Sequence, residues 1–324
     1  MKLLVVDNST PRPYNSDSLL LEGLGGTEAS VIRVLAALAG RGHDAVILQH
    51  CTDTPAVFGN ADALTNPDII VHLRTAAAIP AYAERFPGVP HAVWWHDLFN
   101  RENIIDIPVL ESFKPLSIFV SKYSRHQAFR ALNTLGGSGD YGRTEVVQNP
   151  VETYQARRIW DGKPVFLYAC SPHKGLERTV EMFKQSNIVG AEMLVANPGY
   201  IDSPHVEGVT MLGSLPHRAL VERMSRVAAV VSAGVTIPET YGIVFAEAAN
   251  IGVPVIAHKH GAPIEFLNKG QLIDCNDQAA FTAAMEGAAR GQCPSGGTII
   301  NSAAVYDKIE KVLTAEVNSA KSSS

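Results

Sequence analysis

The chain has 324 residues, 46% hydrophobic and 18% charged, enough to bury two cores in a globular protein. A net charge of -5 with no block of Lys or Arg argues against a nucleic-acid partner. The four cysteines, Cys51, Cys170, Cys275 and Cys293, lack paired spacing, so neither a disulfide framework nor a zinc site is expected.

The first apolar run, Leu3–Val6, is closed by Asp7 and is too short for a signal peptide. No later stretch approaches the roughly 20 apolar residues that a membrane span needs. The expectation is a cytoplasmic protein, with peripheral contact at the inner membrane face left open. Leu3–Val6, Ala45–Leu48, Ile69–Val71, Ala92–Trp95 and Leu116–Val120 read as buried parallel strands. Between the first two lies a helix, Thr27–Ala39, with Val31, Val34, Leu35 and Leu38 on one face and Gly40 as its stop. A second series follows at Val165–Ala169, Met193–Ala196, Val209–Leu212, Ala228–Ser232, Val253–Ala257 and Leu272–Ile273. This alternation predicts an α/β protein of two open parallel sheets, which would leave a cleft where they face each other. The boundary is placed at Gln148–Glu152, followed by the polar stretch Thr153–Lys163. Residues 1–150 and 151–300 are the expected domains, 301–318 a final helix, and 319–324 a disordered polar tail.

The segment Pro238–Ala257 sets two carboxylates around the start of an apolar helix. If that helix begins near Gly242, Glu247 shares a face with Ile243, Val244 and Ile251 and points into packed surroundings, which is costly without donors. Glu239 stands just before the helix, where free N–H groups favour anions, and Gly242 lets a ligand approach the main chain. Each acid alone has an ordinary reading, a dipole-compensating Glu before a helix or a Glu paired with a distant Arg or Lys. Together they point to a site for a polyol joined to phosphate.

Five other segments carry candidate chemistry. Gly25-Gly26-Thr27-Glu28 opens a helix and brings its N-terminus within reach of an anion, or is simply a flexible turn with a Thr cap. Trp94-Trp95-His96-Asp97 ends a strand, placing His96 and Asp97 at its carboxyl end and the tryptophans in the core or on a sugar face. Ser171-Pro172-His173-Lys174-Gly175-Leu176 places an ammonium between a strand and a helix. Leu212-Gly213-Ser214-Leu215-Pro216 reads as a strand-to-helix turn. Lys122, Arg125, His126 and Arg130 form a basic helix face, either solvated or turned to anionic lipid or a phosphorylated acceptor.

Through most of its length the chain resembles the retaining family-four glycosyltransferases, whose signature is Glu, seven residues, Glu, a small-residue helix and a Gly-x-Pro-Val strand. The resemblance implies a GT-B fold, two facing Rossmann-like domains with a cleft between them and a last helix crossing back onto the first domain. It implies transfer of a sugar from a nucleotide-diphosphate donor to a hydroxyl of a glycan or other acceptor, in glycan or glycoconjugate biosynthesis. Glu247 would bind the ribose and Glu239 the transferred sugar, with backbone at Thr240, Tyr241, Gly242 and Ile243 near the diphosphate. Gly25 and Gly26 would face the donor phosphate, Gly213 the base, and Thr27 and Asp97 the acceptor. His96 and Lys174 join Glu239 in the expected catalytic set. The chain departs from the family pattern at Ala169, where an Arg is usual. No cofactor or metal is expected, since no Asp-x-Asp sequence occurs. The alternatives are a nucleotide-sugar epimerase of the same architecture and a non-catalytic nucleotide- or carbohydrate-binding protein.

Overall fold

The computed structural model describes residues 1–197 and 208–323. In chain order the first half contains β1 (Lys2–Asp7), α1 (Ser18–Leu21), α2 (Gly26–Ala39), β2 (Asp44–Gln49), β3 (Ala56–Phe58) and β4 (Ile69–Leu73). It continues with α3 (Ile79–Arg85), β5 (His91–Trp95), α4 (Ile107–Phe113), β6 (Leu116–Phe119), α5 (Lys122–Thr134) and β7 (Thr144–Val146). The second half holds β8 (Val165–Tyr168), α6 (Leu176–Ser186), β9 (Glu192–Asn197), β10 (Thr210–Ser214), α7 (His217–Met224) and β11 (Ala229–Ser232). Then come α8 (Ile243–Ile251), β12 (Val255–His258), β13 (Leu272–Ile273), α9 (Gln278–Ala289) and α10 (Ser302–Ser323).

The chain divides into two compact units, each built on one sheet. Unit 1 comprises residues 1–16, 27–150 and 302–324, and unit 2 comprises 17–26 and 151–301. In unit 1 the strand order is β3-β2-β1-β4-β5-β6-β7, parallel throughout except for β3, which runs antiparallel at the edge. Its central strands are buried along their whole length because helices cover both faces, which is why they read as continuous apolar runs. In unit 2 the order is β10-β9-β8-β11-β12-β13, all parallel. The order reverses between β1 and β4 in unit 1 and between β8 and β11 in unit 2. Ligands of such sheets sit beyond the carboxyl ends of the strands at these reversals.

The structure differs from the sequence reading in four places. Strands β3 and β7 are three-residue edge strands, too short to leave a periodic signal. Residues 17–26 group with unit 2, because α1 packs on α7 and Gly23 lies against the turn before it; a Cβ on Gly23 would stand 2.1 Å from Ser214 Oγ. The expected strand over 209–212 is shifted to Thr210–Ser214, with a register slip between Met211 and Gly213. Helix α10 continues through 319–323, where composition alone suggests a disordered tail; Ser324 lies outside the described residues. The helix is tied to unit 1 by Arg41 with Asp307 and Glu310, Arg143 with Glu316, and Lys321 with Asp68, and this anchorage carries the polar end along. Among the described residues no helix is long and apolar enough to cross a membrane.

Candidate active site

In unit 2 the reversal point is built by backbone contact. Gly175 follows β8 with φ of 102°, and a Cβ there would come within 2.5 Å of Gly234 Cα. Reciprocally, a Cβ on Gly234 would stand 2.1 Å from the Lys174 carbonyl oxygen. Only glycines let the loops after β8 and β11 meet so closely. The result is that Lys174 Nζ lies 2.7 Å from Glu239 Oε2, a partly buried ion pair.

The main chain of Glu239 is fixed as well as its carboxylate. Its carbonyl accepts the Ala262 N–H at 2.9 Å, so the loop after β12 is stitched to the loop after β11. Gly242, with φ of 84°, is the N-cap of α8, and its carbonyl accepts the Phe245 and Ala246 N–H groups. The chain thereby turns sharply from Glu239 into a helix whose first amides lack intrahelical acceptors. Lys174, Glu239, Phe245, His258, His260 and Pro263 are among the residues lining a pocket at this point. His258 Nδ1 accepts the Cys275 N–H at 3.1 Å, and burial holds both His258 and His260 below the ordinary imidazole range. Burial, reinforced by the Glu239 charge, pushes the nearby Cys170 thiol up, so it is no ready nucleophile.

Glu247 is 1% exposed on α8, as its place on the apolar face suggests. An imidazole, which sequence alone did not bring to mind, partners it: His217 Nε2 lies 2.6 Å from Glu247 Oε1. The other ring nitrogen, Nδ1, lies 2.9 Å from the Tyr154 hydroxyl. Sequence reasoning missed both residues; the available signal was a His directly after Pro216, at the first position of a helix that follows a strand.

The remaining candidates of unit 2 are placed as follows. Tyr241 is buried against Phe266, its rings 5.6 Å apart, so its side chain belongs to the core and only its backbone is left for a ligand. Thr240 and Ile243 are half-buried beside it. Gly25 is buried, and Gly26 approaches the start of α8: a Cβ there would meet Ile243 Cδ1 at 3.1 Å. Gly213 is an exposed residue of β10 at the register slip, which corrects the turn assignment; the slip inserts it into the strand.

Unit 1 gathers His96, Asp97 and Thr27 at the carboxyl ends of its strands with a cluster that the sequence did not reveal. Arg74, directly after β4, has φ of 67° and donates to Glu28 Oε1 at 2.7 Å and Ser9 Oγ at 2.7 Å. Its Nε lies 3.1 Å from Asp97 Oδ2, and Nη1 lies 3.6 Å from Asp7 Oδ1. Tyr14 donates to the other oxygen of Asp7 at 2.9 Å. His96 is 4% exposed, and burial followed by the Arg74 charge holds its imidazole well below the usual range, so it is neutral near pH 7. Thr27, Trp94 and Trp95 are buried, and Trp95 Nε1 donates to Ser117 Oγ at 3.2 Å. Both tryptophans therefore serve the core. Reading every strand end for polar residues, and not only the motif segments, would have flagged Asp7 and Arg74.

Residues 161–294, which lie within unit 2, match the model of the glycosyl transferases group 1 family. The whole chain has the GT-B fold of two Rossmann-like domains. A solved structure of HepE from Anabaena, in complex with UDP and glucose, is 16% identical with a TM-score of 0.67, covering 97% of this chain and 99% of that one. Sucrose-phosphate synthase from Thermosynechococcus elongatus is 14% identical with a TM-score of 0.70, covering 97% and 98%. The catalytic domain of starch synthase IV from Arabidopsis thaliana, bound to ADP and acarbose, is 12% identical with a TM-score of 0.62, covering 98% and 99%. No match was found among the curated proteins.

Proposed function

We propose that this protein transfers a sugar from a nucleotide-diphosphate sugar to a hydroxyl acceptor, with retention of anomeric configuration and without a metal ion. The observation that carries the reading is the Lys174–Glu239 pair, 2.7 Å apart at the mouth of α8 and inside the segment that matches the glycosyltransferase model. Departure of a nucleoside diphosphate builds negative charge on a phosphate oxygen. Lys174 and the first amides of α8 offer fixed positive potential where that charge would develop. Glu239 would hold hydroxyls of the transferred sugar and Glu247 those of the ribose, with the backbone of residues 240–243 along the diphosphate. His96, neutral and buried, would donate or accept a hydrogen bond without carrying charge, and Asp97 and Thr27 would serve the acceptor, a glycan or other hydroxyl compound. UDP in the HepE structure and ADP in the starch synthase structure support a nucleotide at this fold.

The test is turnover. Purified protein dialysed against EDTA is incubated with UDP-, ADP-, GDP- and dTDP-sugars and a panel of saccharide acceptors, and products are read by NMR. The expected result is a glycosidic product with the anomeric configuration of the donor, formed undiminished in EDTA. An inverted product, or activity that returns only with Mn²⁺ or Mg²⁺, contradicts the mechanism. An epimer formed without acceptor would assign the epimerase reading instead.

A further inference from the structure

Glu247, His217 and Tyr154 come from three separate elements, α8, the first residue of α7, and the linker before β8. They meet in one continuous hydrogen-bonded chain. A carboxylate as deep as Glu247 needs a donor, and His217 Nε2 at 2.6 Å provides it. With Nε2 facing the carboxylate, the other ring nitrogen, Nδ1, faces the Tyr154 hydroxyl at 2.9 Å. Both nitrogens are thus engaged, and the ring cannot turn without breaking both bonds.

The linker is shaped to hold this arrangement. Tyr154 and Gln155 have φ of 50° and 58°, left-handed conformations that residues with side chains seldom adopt in succession. They are held by Tyr154 N–H donating to Glu152 Oε1 at 2.7 Å and Ala156 N–H donating to the Thr153 carbonyl at 2.8 Å. The tyrosine ring centroid lies 5.3 Å from that of the His217 ring, and the Arg218 guanidinium lies 5.9 Å from the tyrosine ring centroid. Unfavourable backbone is retained at the residue whose hydroxyl meets His217 Nδ1, which marks a geometric demand at that point.

We propose that His217 is a positioning residue for nucleotide binding: it fixes the plane of the Glu247 carboxylate for the ribose hydroxyls, and Tyr154 fixes His217. This rests on the donor reading of Glu247 given above. The imidazole occupies one direction of approach to the carboxylate and so sets the directions from which two vicinal hydroxyls donate. The ligand class is a nucleoside diphosphate, recognised through its ribose.

The test is calorimetric titration of UDP, ADP, GDP and dTDP into the full chain and into His217→Ala, His217→Gln and Tyr154→Phe, with thermal melts and donor KM and kcat for each. For the diphosphate that the wild type binds, Kd should rise about tenfold or more in His217→Ala and two- to about fivefold in Tyr154→Phe. His217→Gln, whose amide N–H can take the place of Nε2–H, should recover to within about threefold of wild type. Donor KM should follow Kd while kcat stays within about threefold. Unchanged affinity in His217→Ala overturns the proposal, as does equal loss of melting temperature in the Ala and Gln variants with affinity intact. If the wild type binds none of the four diphosphates, the donor reading fails and this inference falls with it. Wild-type binding that His217→Ala leaves untouched removes the inference alone.

Discussion

Lys174 and Glu239 form an ion pair at 2.7 Å, so the ammonium that lines the unit 2 pocket is neutralised by a neighbouring carboxylate. A diphosphate entering this pocket must compete with that carboxylate. On the proposed reading Glu239 would have two opposing effects, weakening the hold on the leaving group while binding the sugar.

Glu239→Gln separates these effects. Without the charge, Lys174 is released to the phosphates, and affinity for the free nucleoside diphosphate should stay level or rise by up to about tenfold. Turnover should fall by roughly 10² or more, because the proposed contact to the transferred sugar would be lost. Calorimetry beside steady-state kinetics reads both quantities. Weakened binding of the free diphosphate would show that Glu239 does not compete for Lys174.

Glu247→Gln should act in the opposite sense. If Glu247 holds the ribose, as proposed, loss of its charge-assisted bonds should cost on the order of 2 to 4 kcal/mol of nucleotide affinity. Unaltered affinity by calorimetry would mean that Glu247 is a packed acid whose sole task is to pair with His217.

The glycine contact beneath Lys174 makes a steric prediction. Gly234→Ala places a methyl 2.1 Å from the Lys174 carbonyl oxygen and must push the two loops apart. The expected cost is about 1–3 kcal/mol in stability, with turnover lost beyond that because Lys174 moves. Gly287→Ala is the control: a Cβ there meets nothing within 4 Å, in the interior of α9. It should be neutral or stabilising by about 0.5–1 kcal/mol in a denaturant titration.

Acid sensitivity should come in part from a histidine pair in the unit 1 sheet. His72 Nε2 and His91 Nδ1 lie 3.1 Å apart on β4 and β5. Burial, with the neighbouring His91 as a second cause, lowers His72 to about 3, and burial lowers His91 to about 4. Their unfolded-state values are near the ordinary 6.5, so the unfolded chain takes up protons first as the pH falls. The stability they contribute is fully present above pH 6.5 and is lost as the pH falls from there towards 4 and 3, by up to about 1.4 kcal/mol per group per pH unit. Melting temperature measured from pH 7 to pH 4 should fall less steeply in the His72→Gln/His91→Gln double variant. Equal slopes would place the acid sensitivity elsewhere.

The sheets were legible because buried parallel strands leave unbroken apolar runs, such as Leu3–Val6 and Val253–Ala257. The two edge strands were not, since three residues carry no period. The membership of residues 17–26 in unit 2 also escaped, because it depends on the contact of Gly23 with Ser214, which no local pattern encodes. Of the site, Glu239, Gly242 and Glu247 were readable as acids and a glycine out of place around an apolar helix. That Lys174 meets Glu239, and His217 meets Glu247, depends on pairings across 65 and 30 positions of sequence that only the folded sheet creates. The Arg74 cluster was hidden for the same reason: Asp7, Glu28 and Asp97 look like ordinary surface acids until β1 and β4 lie side by side.

The most direct measurement of the central claim is donor binding with and without the Lys174 charge. UDP-glucose and the corresponding ADP-, GDP- and dTDP-sugars are titrated by calorimetry into the wild type and Lys174→Met, each shown to be folded by its melt. Wild type should bind at least one of these donors, and Lys174→Met should bind it about a hundredfold more weakly, the loss expected for a charge-assisted contact to phosphate. Equal affinity in the two proteins, or no binding of any nucleotide sugar by the wild type, would contradict the account.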